Sequence, residues 1–292
     1  MWKLNRLCLL SLYAGVLALA GCSRSETADA AKAKAEADAA KVEVAPVQSV
    51  KKEASMATFV LVHGAWVGGW YWQKVIPFLE AAGHKVYAPS LTGLAERASE
   101  LSPDVGLDTH IQDIAGLLEE KNLHGVILVG HSYGGMVITG VVDQVPERIA
   151  HLVYLDTFVP RDGESMADIS PIVIWLLRKK LLRDGWRIDS QGTYGVTTEP
   201  DVSWLRSKVT PQPLKTFEQP LHLKNPAIVS AKPRTHIQCT GGGFFRSLMR
   251  RLLARRALPP REAGWRLRQL PTGHMAMITR PRELADLLLE VV

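Results

Sequence analysis

Apolar residues in this chain fall into two kinds of run. Short unbroken runs, Phe59-Val60-Leu61-Val62 and Val126-Ile127-Leu128-Val129, predict strands buried on both faces, because a half-exposed strand would alternate. His84 to Ala88, Leu152 to Leu155, Thr235 to Cys239 and residues 266–270 predict further strands. Between them the apolar period lengthens. Residues 70–82 predict a helix ending before Gly83. Thr109 to Lys121 predicts an amphipathic helix with Ile111, Ile114, Leu117 and Leu118 on one face, and Tyr133 to about Gln144 and 281–291 predict two more. Strands alternating with helices imply an α/β fold, a mostly parallel sheet covered by helices on both faces. Residues 160–225 break that rhythm. They carry Trp175, Trp186, Tyr194, Trp204 and many prolines without a clear strand pattern, and predict a mostly helical, packed cap inserted after the strand that ends at Leu155.

The first fifty residues follow a different logic. Lys3 and Arg6 precede an apolar run from Leu7 to Ala20, the length of a signal-peptide core and too short to span a bilayer comfortably. The run ends in Leu19-Ala20-Gly21-Cys22, which resembles a bacterial lipobox and makes Cys22 the lipidated new N-terminus. Residues 1–21 are then a removed leader. Residues 23–55 hold six basic and six acidic residues and almost no large apolar side chain, so they cannot offset their ordering entropy and form a tether. The folded domain spans 56–292. The expected location is the bacterial cell envelope, lipid-anchored and facing the periplasm or the surface, with the membrane as a partner through the anchor.

Charge and cysteines narrow the picture little. The formal net charge of +6 falls to +4 once Lys3 and Arg6 are removed, which does not suggest a nucleic-acid partner. The three cysteines, Cys8, Cys22 and Cys239, lack metal-ligand spacing. Arg246, Arg250, Arg251, Arg255 and Arg256 alternate with leucines, and Arg178, Lys179, Lys180 and Arg183 cluster in the cap. Either set reads as the solvated face of an amphipathic helix or as an attraction for anionic headgroups.

The chemistry lies in Gly130-His131-Ser132-Tyr133-Gly134, a Gly-x-Ser-x-Gly between a buried strand and a helix. The chain must turn from strand to helix within a residue or two. That forces Ser132 into a strained conformation and presents its hydroxyl at the sheet edge, with glycines giving room. A serine hydroxyl needs a base, and Thr272-Gly273-His274 stands where the base histidine belongs, after the last strand. An oxyanion hole needs two backbone N–H groups: Tyr133, after the nucleophile, and Ala65 in His63-Gly64-Ala65-Trp66, where Gly64 permits close approach. The acid is less determined. The loop after Cys239 reads Thr-Gly-Gly-Gly-Phe-Phe with no carboxylate. Asp156, at the end of the preceding strand, is the first choice, and Asp162 and Glu164 are the alternatives.

These motifs, with Gly-Gly-Trp-Tyr-Trp at 68–72, Gly-His-Lys-Val at 83–86 and Gly273-His274-Met275-Ala276-Met277, resemble the plant methylesterase and hydroxynitrile lyase family of the α/β-hydrolase superfamily. Tyr154-Leu155-Asp156 and Pro233-Arg234-Thr235 resemble bacterial EstC-like esterases more closely. The resemblance implies esterase or lyase activity without a cofactor, under a cap over an apolar pocket; the apolar and aromatic residues around Trp66 and in the cap point to a serine carboxylic-ester hydrolase acting on small or medium apolar esters, and no metal is expected. The resemblance places Gly64, Trp66 and Met275 in the substrate pocket. The lyases carry Thr where Gly64 stands and Lys where Met275 stands, so these two positions favour the esterase branch. The alternatives are a lyase acting on cyanohydrins and a catalytically silent small-ligand binder, the latter motivated by the acid-free loop after Cys239.

Overall fold

A computed structural model describes residues 56–190, 192–241 and 264–292, all within the compact unit Glu53–Val292. The leader, Cys22, the tether and the arginine-rich run 246–256 lie outside the described residues.

The two unbroken apolar runs form β1 (Thr58–Val62) and β3 (Val126–His131). Their alternate side chains serve two cores, because successive residues of a strand point to opposite faces. Val60, Val62, Val126 and Leu128 join Leu152 and Tyr154 on one face. Phe59, Leu61, Ile127 and Val129 join Val153 and Leu155 on the other. Truncating a central residue such as Leu128 to Ala would cost about 2–5 kcal/mol.

With β2 (Lys85–Tyr87), β4 (Ile149–Leu155), β8 (Arg234–Cys239) and β9 (Trp265–Leu270), these strands make one parallel sheet in the order β2-β1-β3-β4-β8-β9. The first core is closed by α2 (Leu107–Glu120), through Leu107, Ile111, Ile114 and Leu118, and by α3 (Gly134–Gln144). The second is closed by Leu79 of α1 (Ile76–Ala81), a single 3-10 turn at Gly69–Trp72 and the closing helices. The strand order reverses direction between β1 and β3. In open α/β sheets such a switch point leaves a crevice at the carboxyl ends of the strands. Here that crevice is framed by His63-Gly64 and His131-Ser132.

Several boundaries differ from the sequence expectation. The helix expected over 70–82 is a 3-10 turn followed by the short α1. The closing helix expected over 281–291 is α10 (Pro281–Leu289), and a short helix the sequence did not suggest, α9 (Ala276–Thr279), precedes it and stops before Pro281, which cannot continue it. The cap mixes helices with strands. Its helices are α4 (Met166–Ile169), α5 (Pro171–Leu181), α6 (Asp201–Lys208) and α7 (Lys215–Glu218). Between them lies a three-stranded antiparallel sheet of β5 (Leu182–Arg183), β6 (Arg187–Ile188) and β7 (Gln212–Pro213). The chain returns to β8 through α8 (Pro226–Ala231).

Candidate active site

Ser132 sits between β3 and α3 with a φ of +53°, left-handed backbone that costs a non-glycine residue about 1–3 kcal/mol. Neighbouring strands hold it there. Its N–H donates to Leu155 O at 3.2 Å, and its carbonyl accepts from Gly135 N at 3.0 Å and from the Thr157 hydroxyl. The turn is this tight because α3 starts against β1: a Cβ on Gly134 would lie 2.8 Å from His63 O and 2.9 Å from Val62 O.

Asp156 and His274 meet across 118 residues of sequence. His274 Nδ1 lies 2.6 Å from Asp156 Oδ2. Asp156 is also left-handed, at φ +45°, and is fixed by N–H donation to Ile237 O at 2.7 Å. Its other carboxylate oxygen accepts from Cys239 N at 3.0 Å. A carboxylate accepts here, so Nδ1 of His274 carries a proton, and in the neutral imidazole Nε2 has the lone pair. His131 donates from Nε2 to the His274 carbonyl at 2.9 Å, and the two rings stand 4.4 Å apart. Asp162 and Glu164, the alternative acids, bind elsewhere: Asp162 accepts from Leu223 N at 2.8 Å and Glu164 from Arg161 N at 2.9 Å. Ser132 and His274 line one cavity with Gly64, Ala65, Trp66 and Met275. It measures about 20 Å³, room for about one water molecule.

The strand end that carries Ala65 packs directly on Ser132. A Cβ on Gly64 would stand 3.1 Å from Ser132 Cβ and 3.0 Å from His131 Nδ1. Beneath this contact lie two buried imidazoles that sequence reasoning did not single out. His63 Nε2 accepts from Leu91 N at 3.0 Å, so its Nδ1 donates, to Gly64 O at 2.7 Å. His110 Nε2 donates to Thr92 O at 2.9 Å, so its Nδ1 accepts the Tyr133 hydroxyl at 3.0 Å. Burial pulls both imidazoles from about 6.5 down to about 4. They are neutral near pH 7, as their acceptor roles require. Thr92 is tied in turn to Asp113, which pairs with Arg97 at 2.8 Å. The peptide group preceding Ala65 and the side chain of Tyr133 are thus each held by a neutral histidine. His110 had a detectable signal, since it falls on the apolar stripe Leu107, Ile111, Ile114, Leu118 and so had to be buried.

The alpha/beta hydrolase family profile matches residues 59–287. This chain belongs to the alpha/beta hydrolase family. The hydrolase is 37% identical over 244 residues to a carbendazim-hydrolysing esterase of a Nocardioides species, covering 79% of this chain and 98% of that one. It is 26% identical over 257 residues to methylesterase 1 of Arabidopsis thaliana, covering 80% and 95%. Among solved structures, an extracellular α/β-hydrolase from a Paenibacillus species, described as sharing structural and functional homology with tobacco salicylic acid binding protein 2, superposes with a TM-score of 0.64. It is 25% identical, with 80% of this chain and 98% of that chain covered.

Trp66 joins the hydrolase core to its cap. At φ +65° it donates its backbone N–H to Gln212 Oε1 at 3.0 Å and its indole N–H to Ile188 O at 3.0 Å. Tyr194 stacks on it at 5.6 Å, with rings 19° apart. Met275 is buried beside His274. Among the described residues, no three His, Cys, Asp or Glu side chains are grouped to hold a metal ion.

Proposed function

We propose that Ser132, His274 and Asp156 form the catalytic triad of this enzyme, with the N–H groups of Ala65 and Tyr133 as its oxyanion hole. The chain is a carboxylic-ester hydrolase. The observation that carries the triad is the 2.6 Å contact between His274 Nδ1 and Asp156, with the strained Ser132 lining the same cavity.

The reaction runs in two halves. Ser132 Oγ attacks the ester carbonyl carbon while His274 Nε2 takes the hydroxyl proton. Asp156 holds the imidazole in the Nδ1–H tautomer and stabilises the imidazolium. Charge collects on the former carbonyl oxygen, where each backbone donor is worth about 3–4 kcal/mol of barrier. The tetrahedral centre collapses, the alcohol leaves with the proton from Nε2, and an acyl-serine remains. Water then attacks, again losing a proton to Nε2, and the acid is released with the serine restored.

The substrate class we infer is a small or medium apolar ester. Trp66, Val67 and Met275 give the cavity apolar walls, and the names of the esterase and methylesterase relatives agree with it. A lyase on cyanohydrins would need a hydroxyl side chain where Gly64 stands, and a Cβ there would already press on Ser132. The silent-binder reading rested on the acid-free loop after β8, and the 2.6 Å contact of Asp156 with His274 supports the hydrolase reading against it. We also infer a signal peptide over 1–21 and lipid on Cys22, which would hold the enzyme in the bacterial cell envelope. The Leu-Ala-Gly-Cys order after the apolar run supports this reading.

Hydrolysis of p-nitrophenyl acetate and butyrate tests the assignment. Ser132→Ala and His274→Ala are each expected to lower kcat by about 10⁴-fold or more. Full turnover by either variant would overturn it.

A further inference from the structure

Five large apolar residues stand out as exposed among the described residues, and three of them share α5 of the cap. Ile172, Trp175 and Leu176 are 62%, 57% and 39% exposed, spaced i, i+3, i+4 on one face of the helix. The opposite face is spent, because Ile174 is buried and Leu177 and Leu181 pack against the core cluster that contains Tyr133 and Phe217. The exposed stripe runs into a basic end. Arg178 pairs with Glu218 at 2.9 Å and Arg183 with Asp189 at 2.6 Å. Lys179 and Lys180 are exposed and reach no carboxylate among the described residues.

We propose that this face of α5 docks on an anionic phospholipid surface. A short apolar ridge containing an exposed tryptophan, continued by the exposed ammonium groups of Lys179 and Lys180, has the composition of an interfacial helix. The apolar side chains enter the acyl boundary, and the lysines meet phosphate headgroups. A soluble protein partner of ordinary surface would not call for the cations. A second copy of the chain would set Lys179 and Lys180 against the like charges of its own α5. Docking in this way lays the cap against the lipid, so the cover of the catalytic crevice faces the phase in which apolar esters concentrate.

The test uses residues 23–292, made without the leader so that no lipid is attached. This chain keeps the whole compact unit Glu53–Val292. It is sedimented with vesicles of phosphatidylcholine alone and of phosphatidylcholine with phosphatidylglycerol. Partition into the anionic vesicles, weakened by salt, is expected. The triple variant Trp175→Ser, Lys179→Glu, Lys180→Glu is expected to partition about tenfold or more weakly while keeping its melting temperature and its hydrolysis of p-nitrophenyl butyrate. In a second measurement, brominated lipid should quench tryptophan emission, and Trp175→Phe should lose that quenching while still partitioning.

Four results would overturn the proposal. They are no partition by the parent chain, equal partition into neutral vesicles, partition unchanged in the triple variant, or a dimer that the variant dissolves in place of vesicle binding. None of these bears on the chemistry at Ser132 or on lipid at Cys22, so failure here is distinct from failure of either reading.

Discussion

Asp156 presents its carboxylate to His274 Nδ1 at 2.6 Å from the end of β4, and the neighbouring strand β8 donates the Cys239 N–H to the other oxygen at 3.0 Å. The plant enzymes that this chain resembles place their acid in the loop that follows β8. Here β8 contributes a backbone donor that orients a carboxylate carried one strand away. Asp156→Asn keeps the shape but lets the imidazole adopt the wrong tautomer. Its kcat should fall about 10⁴-fold, the size of loss known for this change in serine proteases. Asp156→Ala should in addition leave the Cys239 N–H without its acceptor, costing about 1–3 kcal/mol. Ester turnover and thermal melting read the two effects separately. An Asn variant within about tenfold of the parent would place the acid elsewhere.

Gly64 approaches Ser132 across space that a methyl group would fill. Gly64→Ala must push apart the end of β1 and Ser132 by a few tenths of an ångström, because its Cβ would lie 3.1 Å from Ser132 Cβ. The fold can absorb this shift more easily than the chemistry can. A displacement near 1 Å in a reacting geometry costs about 10²-fold in rate. We expect kcat/KM to drop about 10–100-fold with a nearly unchanged melting temperature. An active Ala variant would show that the Gly64–Ala65 backbone is not set by this contact.

Much of the sheet was legible in the sequence, because β1 and β3 are buried on both faces and leave unbroken apolar runs. The boundaries of β4 were harder. It begins at Ile149, ahead of the apolar run from Leu152, because Ala150 is exposed and His151 is buried only by pairing with Thr235 at 2.8 Å across to β8. The cap strands β5 to β7 left no trace, since two residues cannot show a period and their pairing is tertiary. Ser132 and His274 could be read from local motifs. Asp156 could be placed only by topology, because a carboxylate at a strand end has no motif of its own. The support from His63 and His110 was hidden in residues whose partners, Leu91 and Thr92, lie about twenty or more positions away.

Gln212 is the buried side chain through which the cap holds the loop after β1. Its Oε1 accepts Trp66 N–H at 3.0 Å and its Nε2 donates to Thr216 at 2.7 Å. Gln212→Leu keeps much of the volume but removes the acceptor, leaving a buried N–H at a cost of about 1–3 kcal/mol. For a domain of this size that lowers the melting temperature by roughly 2–10 °C. Trp66 lines the cavity, so KM should rise by more than kcat falls. A Leu variant with the parent's melting temperature would show that the indole bond to Ile188 holds Trp66 without help from Gln212.

The two buried imidazoles of His63 and His110 should make the fold acid-sensitive. Burial is the main cause of the lowered values at both His63 and His110, opposed most by their hydrogen bonds to the Gly64 and Thr92 carbonyls. Each takes up its proton near pH 6.5 when unfolded and near pH 4 when folded. Between those values the unfolded chain binds more protons, so stability rises with pH across that window. The contribution is complete above about pH 6.5, declines as pH falls toward 4, and changes no further below that. Each group accounts for on the order of 3 kcal/mol by pH 4. His151, also held near 4 by burial, and His84 and His236, both lowered, act in the same direction. Urea midpoints measured from pH 8 to pH 4.5 should therefore fall steadily below pH 6.5. His110→Gln should start lower at pH 8, because its bonds to Thr92 and Tyr133 are disturbed, yet follow a shallower slope. A slope identical to that of the parent would mean that His110 is not kept neutral in the folded protein.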